Sequence, residues 1–230
     1  YHPVDFVQAV HEAYKKEQNP AAKDAMGQIL INSRMCAEGH RPICQDTGIV
    51  TVFLKIGMDI QWDATLSVAD MVNEGVRRAY THPDNVLRAS ILADPAGARK
   101  NTRDNTPAVI HMEVVPGNTV DVQVAAKGGG SENKSKLAML NPSDSIVDWV
   151  VKTVPTMGAG WCPPGMLGIG IGGTAEKAAV LAKEALMDPI DIHELRERGP
   201  ANRAEELRLE IMDAVNKLGI GAQGLGGLTT

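Results

Sequence analysis

Ala108-Val109-Ile110-His111-Met112-Glu113-Val114-Val115 and Thr119-Val120-Asp121-Val122-Gln123-Val124-Ala125-Ala126, joined by Pro116-Gly117-Asn118, decide the fold class. Both runs are rich in β-branched residues. The second alternates, with Val120, Val122 and Val124 on one side and Asp121 and Gln123 on the other, and the Pro-Gly-Asn link predicts a hairpin. Upstream, Ile49 to Ile56 is a mostly apolar run that reads as a buried strand. Helical periodicity surrounds these strands. Phe6, Val7, Val10, Ala13 and Tyr14 share one face between Val4 and Glu17. Asn19-Pro20 predicts a cap and first turn, with Ala22, Ala25, Met26, Ile29 and Leu30 facing inward and Gly39 as the stop. Asp63 is expected to cap a helix carrying Val68, Met71, Val72, Val76 and Ala79, and Asp144 a short one through Lys152. Met166 to Ile171 reads as a short strand before an Ala-rich helix to Leu186, and a last helix spans about Asn202 to Leu218. The expected fold is mixed α/β: helices packed around a small mixed sheet containing a hairpin, not a regular doubly wound sheet.

The 230 residues suffice for one large domain or two small ones. Apolar residues make up 43% but aromatics only 3%, so the core must be aliphatic. A formal charge of −5 gives no basic excess to displace counterions from phosphates, which argues against a nucleic-acid partner. No apolar run approaches the roughly 20 residues that span a bilayer, and no signal-like segment opens the chain. Three scattered cysteines do not read as a disulfide framework, so a reducing cytoplasm is expected. The start at Tyr1 and the end at Gly226-Gly227-Leu228-Thr229-Thr230 suggest a piece cut from a longer polypeptide.

Two cysteines sit in turns. Cys44-Gln45-Asp46-Thr47-Gly48 lies at the entrance of the Ile49 strand, where α/β proteins keep their chemistry. Gly160-Trp161-Cys162-Pro163-Pro164-Gly165 holds its cysteine among residues that fix a turn, as near many iron–sulfur ligands. Such turns expose a thiol, although small buried hydrophobe remains the ordinary fate of a free cysteine. Cys36 continues the apolar face of the second helix and reads as packing, yet sequence alone leaves three thiols to count. Lys127-Gly128-Gly129-Gly130-Ser131-Glu132-Asn133-Lys134 offers backbone donors and two ammonium groups to a small anion. It lacks the spacing of a nucleotide phosphate loop, and a flexible strand exit is the bland alternative. Gly170-Ile171-Gly172-Gly173-Thr174 is either a helix-end anion site or close packing. Arg88 suits a bidentate carboxylate contact, and Asp46 an acid or base role. His111 reads as structural or exposed.

Taken with Leu87-Arg88-Ala89-Ser90, Asn105-Thr106-Pro107-Ala108 and Gly221-Ala222-Gln223-Gly224-Leu225-Gly226-Gly227, these motifs resemble the class I (iron–sulfur) fumarate hydratases over nearly the whole chain. The likeness is to the N-terminal domain, or to the α subunit of split enzymes such as L(+)-tartrate dehydratase. It implies that residues 1–230 are such a domain, a hydro-lyase converting fumarate and (S)-malate, with a [4Fe–4S] cluster held by three cysteines. Cys44 and Cys162 match two of them; the third is expected beyond Thr230, and Cys36 matches none. Asp46 would assist catalysis, and Gln45, Arg88, Gly128 and Gly129 would contact a small dicarboxylate. The implied partners are a C-terminal or β portion and a second copy in a homodimer. By itself the chain is expected to be inactive and to hold the cluster weakly or not at all. Tartrate dehydration is the competing reaction. A non-catalytic scaffold module and a redox protein using Cys36 and Cys44 are competing readings of other classes.

Overall fold

Asn19 and Pro20 split the first forty residues into helices α1 (Val4–Lys16) and α2 (Pro20–Gly39). The Asn19 side chain accepts hydrogen bonds from the Ala21 and Ala22 amides, at 3.0 and 3.4 Å, satisfying two N–H groups that the helix cannot. The left-handed residue that ends α2 is His40 (φ +49°), one position past the expected Gly39. The computed structural model describes residues 1–230. It divides into two compact units, Tyr1–His40 with Asn133–Thr230, and Arg41–Glu132.

The Arg41–Glu132 unit is built on β1 (Ile49–Gly57), with α3 (Val68–Thr81) against it. Val50, Val52 and Leu54 of β1 pack with Val76 and Tyr80 of α3. Full burial of each such aliphatic side chain contributes about 1.5–3 kcal/mol. The cap of α3 is Ser67, not Asp63: the Ser67 hydroxyl accepts from the Asp70 amide at 3.1 Å and lies 2.7 Å from the Asp70 carboxylate. This reciprocal pair fixes the start four residues later than expected. The polar stretch that follows contains a two-residue ladder, β2 (Leu92–Ala93) with β3 (Lys100–Asn101), around the Asp94–Gly97 turn.

The expected hairpin is corrected. Strands β4 (Val109–Val115) and β5 (Val120–Lys127) do not pair with one another; β1 lies between them, in the order β4-β1-β5. β1 runs parallel to β4, from Thr51↔Val109 to Gly57↔Val115, and antiparallel to β5, from Ile49↔Lys127 to Ile56↔Val120. The 116–119 link crosses the end of β1 and is tied to it: Gly57 donates to the Thr119 carbonyl and Asp59 to the Gly117 carbonyl, both at 2.9 Å. Only glycine fits at position 57, because a Cβ would collide with the Gly117 carbonyl. A short link therefore spans two inter-strand spacings, about 9–10 Å, instead of one. The mixed α/β class stands, with a sheet that is mixed because of this insertion. The alternation of β5 holds too, but its apolar side stays open, with Val124 62% exposed. His111 stacks on Phe53, ring centroids 4.7 Å apart, a structural role. The unit ends in a single helical turn, α4 (Gly129–Glu132).

In the other unit, Val10, Ala22, Met26 and Ala222 are buried among α1, α2 and Leu228. A second cluster gathers Val150, Val154, Trp161, Ile211 and Val215 between α5 (Ile146–Thr153) and the later helices. The cap of α5 is Ser145, because Asp144 is engaged with the Asn141 amide at 2.7 Å. Residues 166–171 form no strand. Their backbone is pressed on α6 (Ala175–Glu184), where a Cβ on Gly168 or Gly170 would strike the carbonyls of Ala182 or Ala178. The glycines thus serve close packing. A helix not anticipated, α7 (Ile192–Arg198), is capped by Asp191 and precedes α8 (Arg203–Asn216), which starts at Asn202 as expected. No helix is long and apolar enough to cross a membrane.

Candidate functional site

The turn before β1 gathers six of the predicted site residues, one of them, Arg88, through its backbone. Cys44 is a free, exposed thiol whose Sγ lies 3.4 Å from the Asp46 carbonyl oxygen. Asp46 holds two structures at once. Its Oδ1 accepts from the Gly48 amide at 3.2 Å, closing a local turn. Its Oδ2 accepts from the Gly130 amide at 3.2 Å, fastening α4 to the turn. The approach is close: a Cβ on Gly128 would stand 3.1 Å from Oδ2, and one on Gly129 3.9 Å away. Gly128 and Gly129 therefore line the carboxylate, and within the glycine turn the residue that binds it is Gly130. Gln45 is exposed between the thiol and the carboxylate. Arg88 is joined to the same turn through its backbone, since the Thr47 hydroxyl donates to the Arg88 carbonyl. Its side chain is exposed.

Two buried residues fix this turn. Asn105 is fully buried, with φ +59°. Its Nδ2 donates to the Gly48 carbonyl at 3.1 Å, and its Oδ1 accepts from the Ser90 amide at 2.8 Å. One side chain thus ties the Cys44 turn to the Arg88 segment. Tyr80 of α3 donates its hydroxyl to the Thr47 carbonyl at 3.0 Å. Burial pushes the Tyr80 phenol up, against a smaller opposing effect of Asn105, so it stays a donor. Just before Asn105, burial opposes ionisation of Asp104. The Thr106 amide and hydroxyl and the Arg77 guanidinium, 3.1 Å away, outweigh it and hold that carboxyl below its ordinary value.

At the entrance of this cradle Lys127 does not point to open solvent as a lone cation. Its Nζ donates to the Ser131 hydroxyl at 2.8 Å and lies 3.5 Å from the Glu132 carboxylate. The glycine turn is thereby a braced element instead of a flexible strand exit.

Cys162 is also a free, exposed thiol, and it adopts a left-handed conformation (φ +58°). Its neighbours Trp161 and Pro163 are buried, and its amide donates to the Ala159 carbonyl at 3.0 Å. The Lys134 side chain runs against this turn; a Cβ on Gly160 would lie 2.8 Å from its Cε and 3.3 Å from its Nζ. Cys36 is different: 3% exposed, inside α2, with Sγ 3.7 Å from the Asn32 side chain. Nowhere do three or more His, Cys, Asp or Glu side chains converge as a metal site.

Sequence reading did not single out Tyr80, and it took Asn105 only as part of a motif. The one local signal was Asn105 itself, since asparagine is enriched in left-handed positions.

These turns can be set beside known proteins. A family model described as fumarate hydratase (Fumerase) matches residues 1–230. The chain is similar to the Methanocaldococcus jannaschii protein named "Putative L(+)-tartrate dehydratase subunit alpha", with 37% identity over 236 residues, 99% of this chain and 79% of that protein. It is also similar to the L(+)-tartrate dehydratase subunit alpha of Escherichia coli (strain UTI89 / UPEC), with 30% identity over 220 residues, 92% of this chain and 70% of that protein. With a match along its whole length, the chain belongs to the fumarate hydratase (Fumerase) family of hydro-lyases.

Proposed function

We propose that residues 1–230 act as the α-type domain of an iron–sulfur hydro-lyase that hydrates fumarate reversibly to (S)-malate. The observation that carries this reading is the cradle at Asp46: an exposed thiol two residues away, and a carboxylate clasped by the Gly130 amide. The thiols fit the role differently. Cys44 and Cys162 are exposed in fixed turns and open to an incoming cluster, whereas Cys36 is packed inside a helix. Cys44 and Cys162 would thus hold two corners of a [4Fe–4S] cluster, with a third thiolate supplied from beyond Thr230. When bound, the cluster supplies a Lewis-acidic iron for the substrate hydroxyl and one carboxylate.

The chain's own residues do the rest. The Arg88 guanidinium and the Gln45 amide donate to a dicarboxylate, the former in bidentate fashion. The backbone of Gly128 and Gly129 gives the substrate a surface without side chains, beside Asp46. Each Asp46 oxygen accepts one backbone N–H and keeps capacity for a further proton, so Asp46 can assist proton transfer without leaving its place. A β domain or subunit completes the enzyme, and a homodimer is the expected assembly. The names of the relatives, which are alpha subunits, support a separate partner.

Those names also favour a second reading, L(+)-tartrate dehydration by the same cradle. Anaerobic assay of the full-length protein with its partner decides. Turnover of (S)-malate and fumarate with none of L(+)-tartrate supports the first reading. Turnover of L(+)-tartrate alone replaces it with the second, and inertness toward both overturns each.

A further inference from the structure

The C-terminal glycine segment, which the proposed chemistry does not use, is built into a strap over the Cys162 turn. Gln223 donates twice to the Pro163 carbonyl, from its amide at 2.6 Å and from Nε2 at 3.1 Å. The Gly165 amide donates to the Thr229 carbonyl at 3.3 Å, and the Thr230 hydroxyl to the Gly165 carbonyl at 2.8 Å. The residues on both ends of the Pro163–Gly165 step are thus held by residues 223–230. This explains how Cys162 keeps a left-handed backbone that a non-glycine residue adopts only when its surroundings dictate it.

The strap is itself fastened at two points. The Asn216 Oδ1 accepts from the Thr229 and Thr230 amides at 2.8 and 3.0 Å, and its Nδ2 donates to the Thr230 carbonyl at 3.0 Å. Glu17, 4% exposed, is the other anchor. Its Oε1 accepts from the Gln18 and Asn19 amides at 2.8 Å each, and its Oε2 from the Leu228 amide at 2.7 Å. The carboxylate lies flat on Gly227, where a Cβ would collide with it. A buried carboxylate must find such donors, and here one of three comes from the strap. The neighbouring Asn19 adds a bond from its Nδ2 to the Leu225 carbonyl at 2.8 Å.

We infer that Glu17 and Asn216 are positioning residues for Cys162: they clamp the glycine strap, and the strap fixes the conformation of the thiol-bearing turn. The functional meaning of this rests on Cys162 as a cluster ligand, but the conformational link does not.

The three thiols give the test. The full-length protein, isolated without iron–sulfur reconstitution, is pulsed with iodoacetamide, and each cysteine's rate is read by mass spectrometry. Glu17→Gln places an NH₂ group against the Leu228 amide, and Asn216→Ala removes both roles of that side chain. Glu17→Gln, which loses one backbone hydrogen bond, should change the Cys162 rate about fivefold, and Asn216→Ala, which loses three, by at least as much. Cys44 should keep its rate, and buried Cys36 its protection. Asn202→Ala, which removes the α8 cap, should cost comparable stability and leave Cys162 unchanged. An unchanged Cys162 rate in both variants would overturn the inference. So would Cys36 reactivity rising in step with Cys162, which would assign the two residues to global stability. Because no cluster is involved, this result stands apart from the outcome for the iron–sulfur reading.

Discussion

Replacing Asn105 by alanine probes the candidate site at its hidden support. The substitution strands two backbone groups, the Gly48 carbonyl and the Ser90 amide, that the side chain now satisfies. An orphaned buried group costs about 1–3 kcal/mol, and Ser90 is half-buried, which puts its amide at the lower end. Alanine at φ +59° adds about 1 kcal/mol. The expected loss for the Arg41–Glu132 unit is about 3 kcal/mol, or roughly a hundredfold faster exchange of the slowest β1 amides. Hydrogen exchange read by mass spectrometry on Ile49–Gly57 measures it, with α8 as the internal reference. Asn105→Gly removes the same amide but accepts the left-handed backbone, so it should recover up to about 1 kcal/mol. If the alanine variant speeds β1 exchange less than about fivefold, Asn105 is not the pivot of the turn.

Asp46→Asn turns an NH₂ group on the Gly48 or the Gly130 amide, so it should loosen that one contact while circular dichroism keeps the overall fold, and lower turnover of the complete enzyme by about 10²-fold or more; unaltered kcat would remove Asp46 from proton transfer. Gly57→Ala forces a methyl onto the Gly117 carbonyl and should destabilise the sheet by about 1–3 kcal/mol in urea unfolding; a neutral result would contradict the β4-β1-β5 crossing. Arg198 and the Ala201 amide hold the Glu205 carboxyl at about 2, below its ordinary 4.5. Because the folded value is depressed, the stabilisation is complete above about 4.5 and is lost as pH falls toward 2. In Arg198→Ala, NMR titration should find Glu205 moved up toward its ordinary value, and no movement would refute the pairing.

Local chemistry was legible in the sequence; long-range partnership was not. Asn19-Pro20 announced α2, the apolar run from Ile49 announced β1, and Cys44 was placed correctly in an exposed turn. The Pro116-Gly117-Asn118 link announced a reversal but not what lies inside it, since the insertion of β1 depends on contacts some sixty residues away in sequence. Asp63 and Asp144 are good cap residues, and each lost to a serine nearer the first helical turn. Met166 to Ile171 has strand composition but no strand beside it, so its backbone turned to helix packing instead. Glu17 at the end of an amphipathic helix looks solvated, and Asn216 looks like a helix end; only the return of the C-terminal strap gives either its role.

The assignment of Cys44 and Cys162 as cluster ligands is tested most directly by the visible absorption of the anaerobically reconstituted full-length protein. The account predicts broad iron–sulfur absorbance that is lost in Cys44→Ser and in Cys162→Ser and kept in Cys36→Ser. Loss of the absorbance in Cys36→Ser, or its survival in either of the other two, would contradict it.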